Sequence, residues 1–311
     1  MTRHRIYEYL SKYIAYLALL IIVIVFSILA PDRFMSSANL GVILQNSAVL
    51  GIVAIGITFI IIGGSIDLSV GSIIAFSGVM TASLTPSLGA WAFVVAPLVG
   101  AALGFINGAI FVWGRIPSFV VTLGMLAMAR GATVIFSGGR PVSVPLDSEF
   151  YMFGTPPLPF IICIVVAVLL GVLLKWTTFG RYTLAIGGDE EKARILGVPV
   201  DHVKLAMLVI SGAMAGVGGG ILTSQLGSGS PTVGAGFELM AISAVVIGGT
   251  PLTGGYGSVL GTLVGSLLIT TLANGLILLG ISSNVQTVLT GAVLILAVMI
   301  SIRRGRLRII K

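Results

Sequence analysis

Residues 158–176 read LPFIICIVVAVLLGVLLKW, nineteen positions whose one charge, Lys175, stands next to last. A helix needs roughly 20 apolar residues to cross about 30 Å of hydrocarbon. With no polar face, this stretch cannot lie on the surface of a water-soluble fold. Outward from it, nine further apolar runs cover about 13–30, 40–62, 69–84, 90–112, 118–136, 204–222, 236–250, 258–280 and 285–302. Charged residues make up 9% of the 311 and hydrophobic ones 57%, where a soluble domain carries about a quarter charged. The expectation is an all-α integral membrane protein, a polytopic bundle of about ten transmembrane helices forming a single domain over 1–311. The runs 69–84 and 236–250 are short and glycine-interrupted, which suits broken or re-entrant segments.

Charge placement orients the chain. With the N-terminus inside, Arg3, Arg5, Lys12, Arg115, Lys175, Arg181, Lys192, Arg194, Lys204, Arg303, Arg304, Arg306, Arg308 and Lys311 all fall on the cytoplasmic side. Only Arg33, Arg130 and Arg140 fall elsewhere. This asymmetry is the positive-inside pattern, and it places both termini in the cytoplasm. The net charge of +7 is therefore topological. No soluble basic face is left for nucleic acid, and the surrounding partner is membrane lipid. Arg3 and Arg5 precede an apolar run that continues to Pro31 without an Ala-x-Ala-like exit, so it reads as a retained span.

Signals for catalysis are absent. The two histidines, His4 and His202, lie in cytoplasmic segments, and the single cysteine, Cys163, lies inside a span. No HExxH, G-x-S-x-G or G-x-x-x-x-G-K-[ST] motif occurs. The chain is expected to have no catalytic residues, no metal site and no cofactor. If ATP drives it, another polypeptide supplies the ATPase.

The polar stretches are 137–157, outside, and 177–203, inside. The second holds a short punctuated helix. Asp189 is a good N-cap, and Glu190 and Glu191 complement the first-turn dipole. Gly197 suits the position after the helix, and Pro199 blocks continuation. A helix this short is marginal alone, so Ala193, Ile195 and Leu196 are expected to rest on the membrane domain or on a partner. An ordinary interspan helix without a partner also fits.

An internal echo links 60–72, IIIGGSIDLSVGS, with 245–258, VVIGGTPLTGGYGS. Each ends an apolar run on Gly-Gly (Gly63 and Gly64; Gly248 and Gly249) and reaches Gly-Ser (Gly71 and Ser72 in the first copy) after a polar turn. Paired glycine-interrupted segments mark functional turns in transporters, and glycine-rich turns also arise from close helix packing. Ionisable residues at membrane depth are functional candidates because they are costly. Arg130 and Glu238 both fall toward the outer side, where one can neutralise the other. Asp67 suits an N-cap for the third span or a contact with the cytoplasmic loop. Asn46, Asn107 and Asn274 lie within spans, either lining a pathway or bonding between helices. No acid or histidine relay lies deep in the bilayer, which argues against proton-coupled transport.

The stretch GGSIDLSVGS at 63–72 resembles the signature of monosaccharide-type ABC importer permeases, the ribose permease group of the branched-chain and sugar permease superfamily. The resemblance continues through Gly180-Arg181-Tyr182, AIGGDEEKARILGV at 185–198, SPTVGAGFELMAISAVVIGGT at 230–250 and GISSNVQTVLTGAVLILAV at 280–298, in order along the chain. Ser65 departs from the usual Gly-Gly-Ile-Asp pattern. The resemblance implies the membrane half of a bacterial inner-membrane importer, paired with a second copy or a paralogous permease. An extracytoplasmic sugar-binding protein would deliver the sugar, and an ATPase with two fused nucleotide-binding domains would drive the cycle. Asp189, Glu190, Glu191, Ala193, Arg194, Leu196 and Gly197 would form the coupling helix seated on that ATPase. A pentose such as ribose is the expected cargo by family frequency; other monosaccharides and polyols stay open. The alternative from another class is an ATP-independent channel or facilitator.

Overall fold

Away from water a chain must satisfy its own N–H and C=O groups, and the apolar runs do so as helices. The computed structural model describes residues 3–282, 284–292, 295, 296 and 299, with side chains from Ala15 onward. The helices are α1 (Arg3–Leu29), α2 (Pro31–Phe34), α3 (Ser37–Ile62), α4 (Val70–Leu88), α5 (Ala92–Trp113), α6 (Ser118–Ser137), α7 (Leu158–Trp176), α8 (Thr178–Gly188), α9 (Glu190–Ile195), α10 (Val200–Leu226), α11 (Phe237–Ile247) and α12 (Val259–Leu278). The all-α membrane class expected from sequence holds.

Among the described residues, six stretches are long and apolar enough to cross a membrane: Ser37–Ile62, Val70–Trp113, Ser118–Ser137, Leu158–Trp176, Val200–Leu226 and Val259–Leu278. The 44-residue stretch Val70–Trp113 contains α4 and α5, which turn on each other at Gly89 (φ 55°). Ala15–Leu29 is a shorter apolar helix. So is α11, whose 11 residues rise about 16 Å at 1.5 Å each and cover half a bilayer. The expected span 285–302 lies partly outside the described residues, as do the basic residues at 303–311. The count of ten is thus not reproduced by length and composition: two expected spans are shorter apolar helices, two are joined into one stretch by a tight turn, and one is only partly described.

α3, α10 and α12 make the centre. α3 is buried continuously from Ala48 to Ile62, as expected of a helix apolar on every side. α7 buries only Pro159, Cys163 and Leu174 and presents Val168, Leu169 and Val172 outward. With Ile135 on α6, 84% exposed, these give the outer surface the apolarity of a lipid-facing wall. α5 and α10 approach more closely than side chains allow. A Cβ on Gly100 or Gly104 would strike the carbonyl oxygens of Gly212 and Leu208, and one on Gly212 or Gly216 those of Gly100 and Ala96.

Stretch 137–157 is no free loop. Val142–Ser143 pairs antiparallel with Ser228–Gly229. Phe150 is fully buried, and Phe93 stacks on Phe153 with ring centroids 4.0 Å apart. This plug closes the end of the bundle opposite α9.

Candidate functional site

The chain between α3 and α4 runs without helix from Gly63 to Ser69, inside a bundle where unpaired backbone is costly. Most of its amides find a partner. Gly64 N–H donates to Ile61 O and Ser65 N–H to Ile60 O, with Gly64 at φ +74°, the left-handed glycine cap that closes a helix. Ile66 N–H then donates to Ser118 Oγ, and Leu68 N–H to Thr122 Oγ1. Ser69 N–H donates to Asp67 Oδ1 at 2.9 Å. Side chains of α6 thus replace the missing helical carbonyls. Ser118 and Thr122, four apart at the start of α6, were not singled out in the sequence.

Asp67 is 1% exposed and is the hub of this strip. Its Oδ1 also accepts from Ser69 Oγ at 2.6 Å, and its Oδ2 accepts from Ser211 Oγ of α10 at 2.8 Å. Ser69 Oγ in turn accepts from Asn107 Nδ2 of α5 at 2.9 Å. One carboxylate therefore ties α4, α5 and α10. The hydrogen bonds of Asp67 go to the strip and to α10. Asn107 is fully buried, and its Oδ1 has no partner among the described residues.

The second copy of the echo has the same cap. Gly249 N–H donates to Val246 O and Thr250 N–H to Val245 O, with Gly249 at φ +100°. The match repeats the Ile61 and Ile60 pairings bond for bond. Gly248 packs against the start of α12, where a Cβ would strike Gly261 O. Gly63 packs on Met207, and Gly71 on Glu238 and Gly234 O. The segments expected inside share one end of the bundle. Gly255 N–H donates to Ile62 O at 2.9 Å. A cleft of about 520 Å³ lined by Arg115, Pro117, Glu190 and Lys204 adjoins one of about 330 Å³ that reaches Gly64, Ser65 and Ile66.

At this end sits α9. Asp189 Oδ1 accepts from Lys192 N–H at 3.1 Å, and hydrogen bonds from Lys192 hold its carboxyl below the usual carboxylate range. Arg194 pairs with Asp201 at 2.8 Å, and Lys204 with Glu190 at 2.6 Å. Gly197 takes φ +83°. The three apolar residues do not share a role. Ala193 is 3% exposed and packs with Leu174, Ile186, Val200 and Val203, whereas Ile195 and Leu196 are 78% and 83% exposed. Ala193 anchors the helix to the bundle, leaving Ile195 and Leu196 as the outward face.

Arg130 and Glu238 form no ion pair within 4 Å; the ion pairs among the described residues join other partners. Arg130 instead donates through Nη1 to the carbonyls of Pro231 and Val233 at the foot of α11. Glu238 faces Gly71, with Oε2 buried and unpartnered among the described residues. The two are near enough for the Glu238 charge to act on Arg130, but the hydrogen bonds of the guanidinium, with its five donors, go to backbone carbonyls where α11 begins. Asn46 is exposed on α3. Asn274 bonds Asn39 Oδ1 at 2.9 Å and so joins α12 to α3. No group of three or more His, Cys, Asp or Glu placed to hold a metal occurs among the described residues.

A family model for the permease component of branched-chain amino acid transport systems matches residues 39–298. The ribose import permease protein of Bacillus subtilis (strain 168) is 41% identical over 304 residues, 93% of this chain and 92% of that protein. The ribose import permease protein of Escherichia coli (strain K12) is 38% identical over 91% of each chain. The D-allose transport system permease protein of the same strain is 36% identical over 93% of this chain and 90% of its own. No solved structure matches. A polytopic apolar bundle matched nearly end to end by transport permeases, the chain belongs to the branched-chain transport permease family.

Proposed function

We propose that this chain is the membrane-spanning subunit of a bacterial ATP-driven importer for a monosaccharide of the ribose class. The observation that carries it is similarity to ribose import permeases over more than nine-tenths of both chains. The geometry supports the same reading. A non-helical strip held inside the bundle and a short capped helix beside it are parts of a gate worked from one end. Partners follow from this assignment: an ATPase with two fused nucleotide-binding domains, an extracytoplasmic sugar-binding protein, and a second copy or a paralogue of the permease. The outward face of Ile195 and Leu196 is the surface offered to the ATPase, and the residues 189–197 act as its coupling helix.

Proteoliposomes holding the chain with its ATPase and binding protein will accumulate labelled ribose when ATP is supplied. Downhill equilibration of sugar without ATP or binding protein would favour the facilitator reading instead. The membrane orientation has its own check. In a Cys163→Ala background, an impermeant thiol reagent applied to intact cells will label Ser143→Cys and leave Arg181→Cys untouched. The reverse pattern would invert the topology and take the coupling assignment with it.

A further inference from the structure

We propose that Gly187 is a positioning residue through which movement of the 177–203 segment reaches both glycine-rich stretches of the internal echo at once. The inference rests on the reading of the chain as an ATP-driven permease. Gly187 lies in the last turn of α8, two residues before Asp189, the cap of α9. A Cβ there would strike Ile62 O and Gly255 N. Those two atoms make the 2.9 Å hydrogen bond between the end of α3 and the 250–258 turn.

The contact is mutual. A Cβ on Gly254 would lie 2.8 Å from Ile62 O and 2.9 Å from Gly64 N, and one on Gly255 3.3 Å from Gly187 O. Three stretches distant in sequence, 62–64, Gly187 and 254–255, therefore meet backbone on backbone. Side chains can absorb a displacement by changing rotamer, but close-packed backbone has no such slack. α9 is anchored to this assembly by Ala193 and exposes Ile195 and Leu196 on its far side. A push on that face moves α8, and α8 bears directly on the hydrogen bond that joins the two halves of the internal echo. Neither turn can then shift without the other.

The neighbouring glycine supplies the control. A Cβ on Gly188 would meet nothing within 4 Å. The experiment uses the assembled importer in proteoliposomes, with ribose as probe, and reads sugar accumulated per ATP hydrolysed. Gly187→Ala lowers that ratio roughly tenfold, the size of an ordinary coupling energy, while the ATPase still copurifies. Gly188→Ala leaves the ratio unchanged. A Gly187→Ala importer with the wild-type ratio overturns the inference.

If Gly187→Ala yields no folded chain, cross-linking decides. Gly188→Cys with Gly255→Cys, in a Cys163→Ala background, is joined by a short cleavable thiol cross-linker. Uptake unchanged by the link shows the junction moving as one body. Uptake lost on linking and regained with reductant means the contact opens during the cycle, and the inference fails. The two readings fail separately. Wild-type vesicles that accumulate nothing on ATP sink the driven-permease assignment, whereas accumulation with an unaltered ratio in Gly187→Ala sinks this inference alone.

Discussion

Gly104→Leu is expected to abolish the folded bundle. At this position a Cβ already strikes the Leu208 carbonyl oxygen and comes within 3.1 Å of Val209 Cα. The obstructing atoms are backbone, so no rotamer change makes room. Adding methylenes to a core whose side chains can yield costs about 1–3 kcal/mol. Here the two helices must separate instead, and contact is forfeited along their shared length. Gly100, Gly212 and Gly216 lie on the same seam and would lose their close approach together. Without a hydrophobic force between helices in lipid, such packing is much of what holds them. Gly124→Leu on α6 is the comparison, since nothing lies within 4 Å of its Cβ. That variant should melt at or slightly above wild type, because leucine favours helix over glycine by up to about 1 kcal/mol. Thermal unfolding in detergent checks both. Similar melting of the Gly104 and Gly124 variants would refute the close-packing account.

The seam also shows what a sequence displays and what it conceals. Gly100, Gly104 and Gly108 stand four apart, as do Gly212, Gly216 and Gly220. The pattern is a packing signal, yet attention to glycine-rich turns passes over it. The class of fold was legible because lipid permits few architectures, and a run such as 158–176 admits one reading. The number of crossings was less legible. α11 is apolar throughout but only 11 residues long, and apolarity alone does not reveal that α3 and α12 cover it. The caps of the two Gly-Gly turns were legible from Gly64 and Gly249, because a left-handed residue at a helix end favours glycine. The partners of Arg130 were not. Opposite charge at similar depth pointed to Glu238, whose charge does act on Arg130, but the carbonyls of Pro231 and Val233 that take its hydrogen bonds carry no mark in the sequence. Ala193 was read together with Ile195 and Leu196 as resting on the membrane domain or on a partner, and only Ala193 is buried in the bundle. In a six-residue helix a single turn separates the anchored face from the free one, and periodicity cannot choose between them.

The strip between α3 and α4 explains why transport proteins of this kind tolerate broken helix. Hydroxyls on α6 and α10 and one carboxylate do the work of the missing carbonyls and amides. A segment stabilised this way is held by a few directional bonds rather than by broad apolar contact, so a small set of substitutions can release it.

Asp67→Leu should release it most completely. The carboxylate accepts from Ser69 N–H, Ser69 Oγ and Ser211 Oγ, and it is 1% exposed. Leucine fills a similar volume but accepts nothing. The Ser69 amide cannot turn elsewhere, and each buried donor left unsatisfied costs about 1–3 kcal/mol. With two hydroxyls losing their acceptor as well, the total is on the order of 3 kcal/mol or more, a large share of the ~5–15 kcal/mol that holds an ordinary domain. Asp67→Asn separates hydrogen bonding from charge. Its amide oxygen can keep the two Ser69 bonds, and its NH₂ can donate to Ser211 Oγ if that hydroxyl turns away. The asparagine also removes a charge that is expensive to bury. The asparagine variant should therefore melt within about 1 kcal/mol of wild type, and the leucine variant should be recovered poorly or melt far below it. Equal stability of the leucine variant and wild type would show that Asp67 does not hold the strip. A stable asparagine variant that fails in uptake would assign the charge itself to transport.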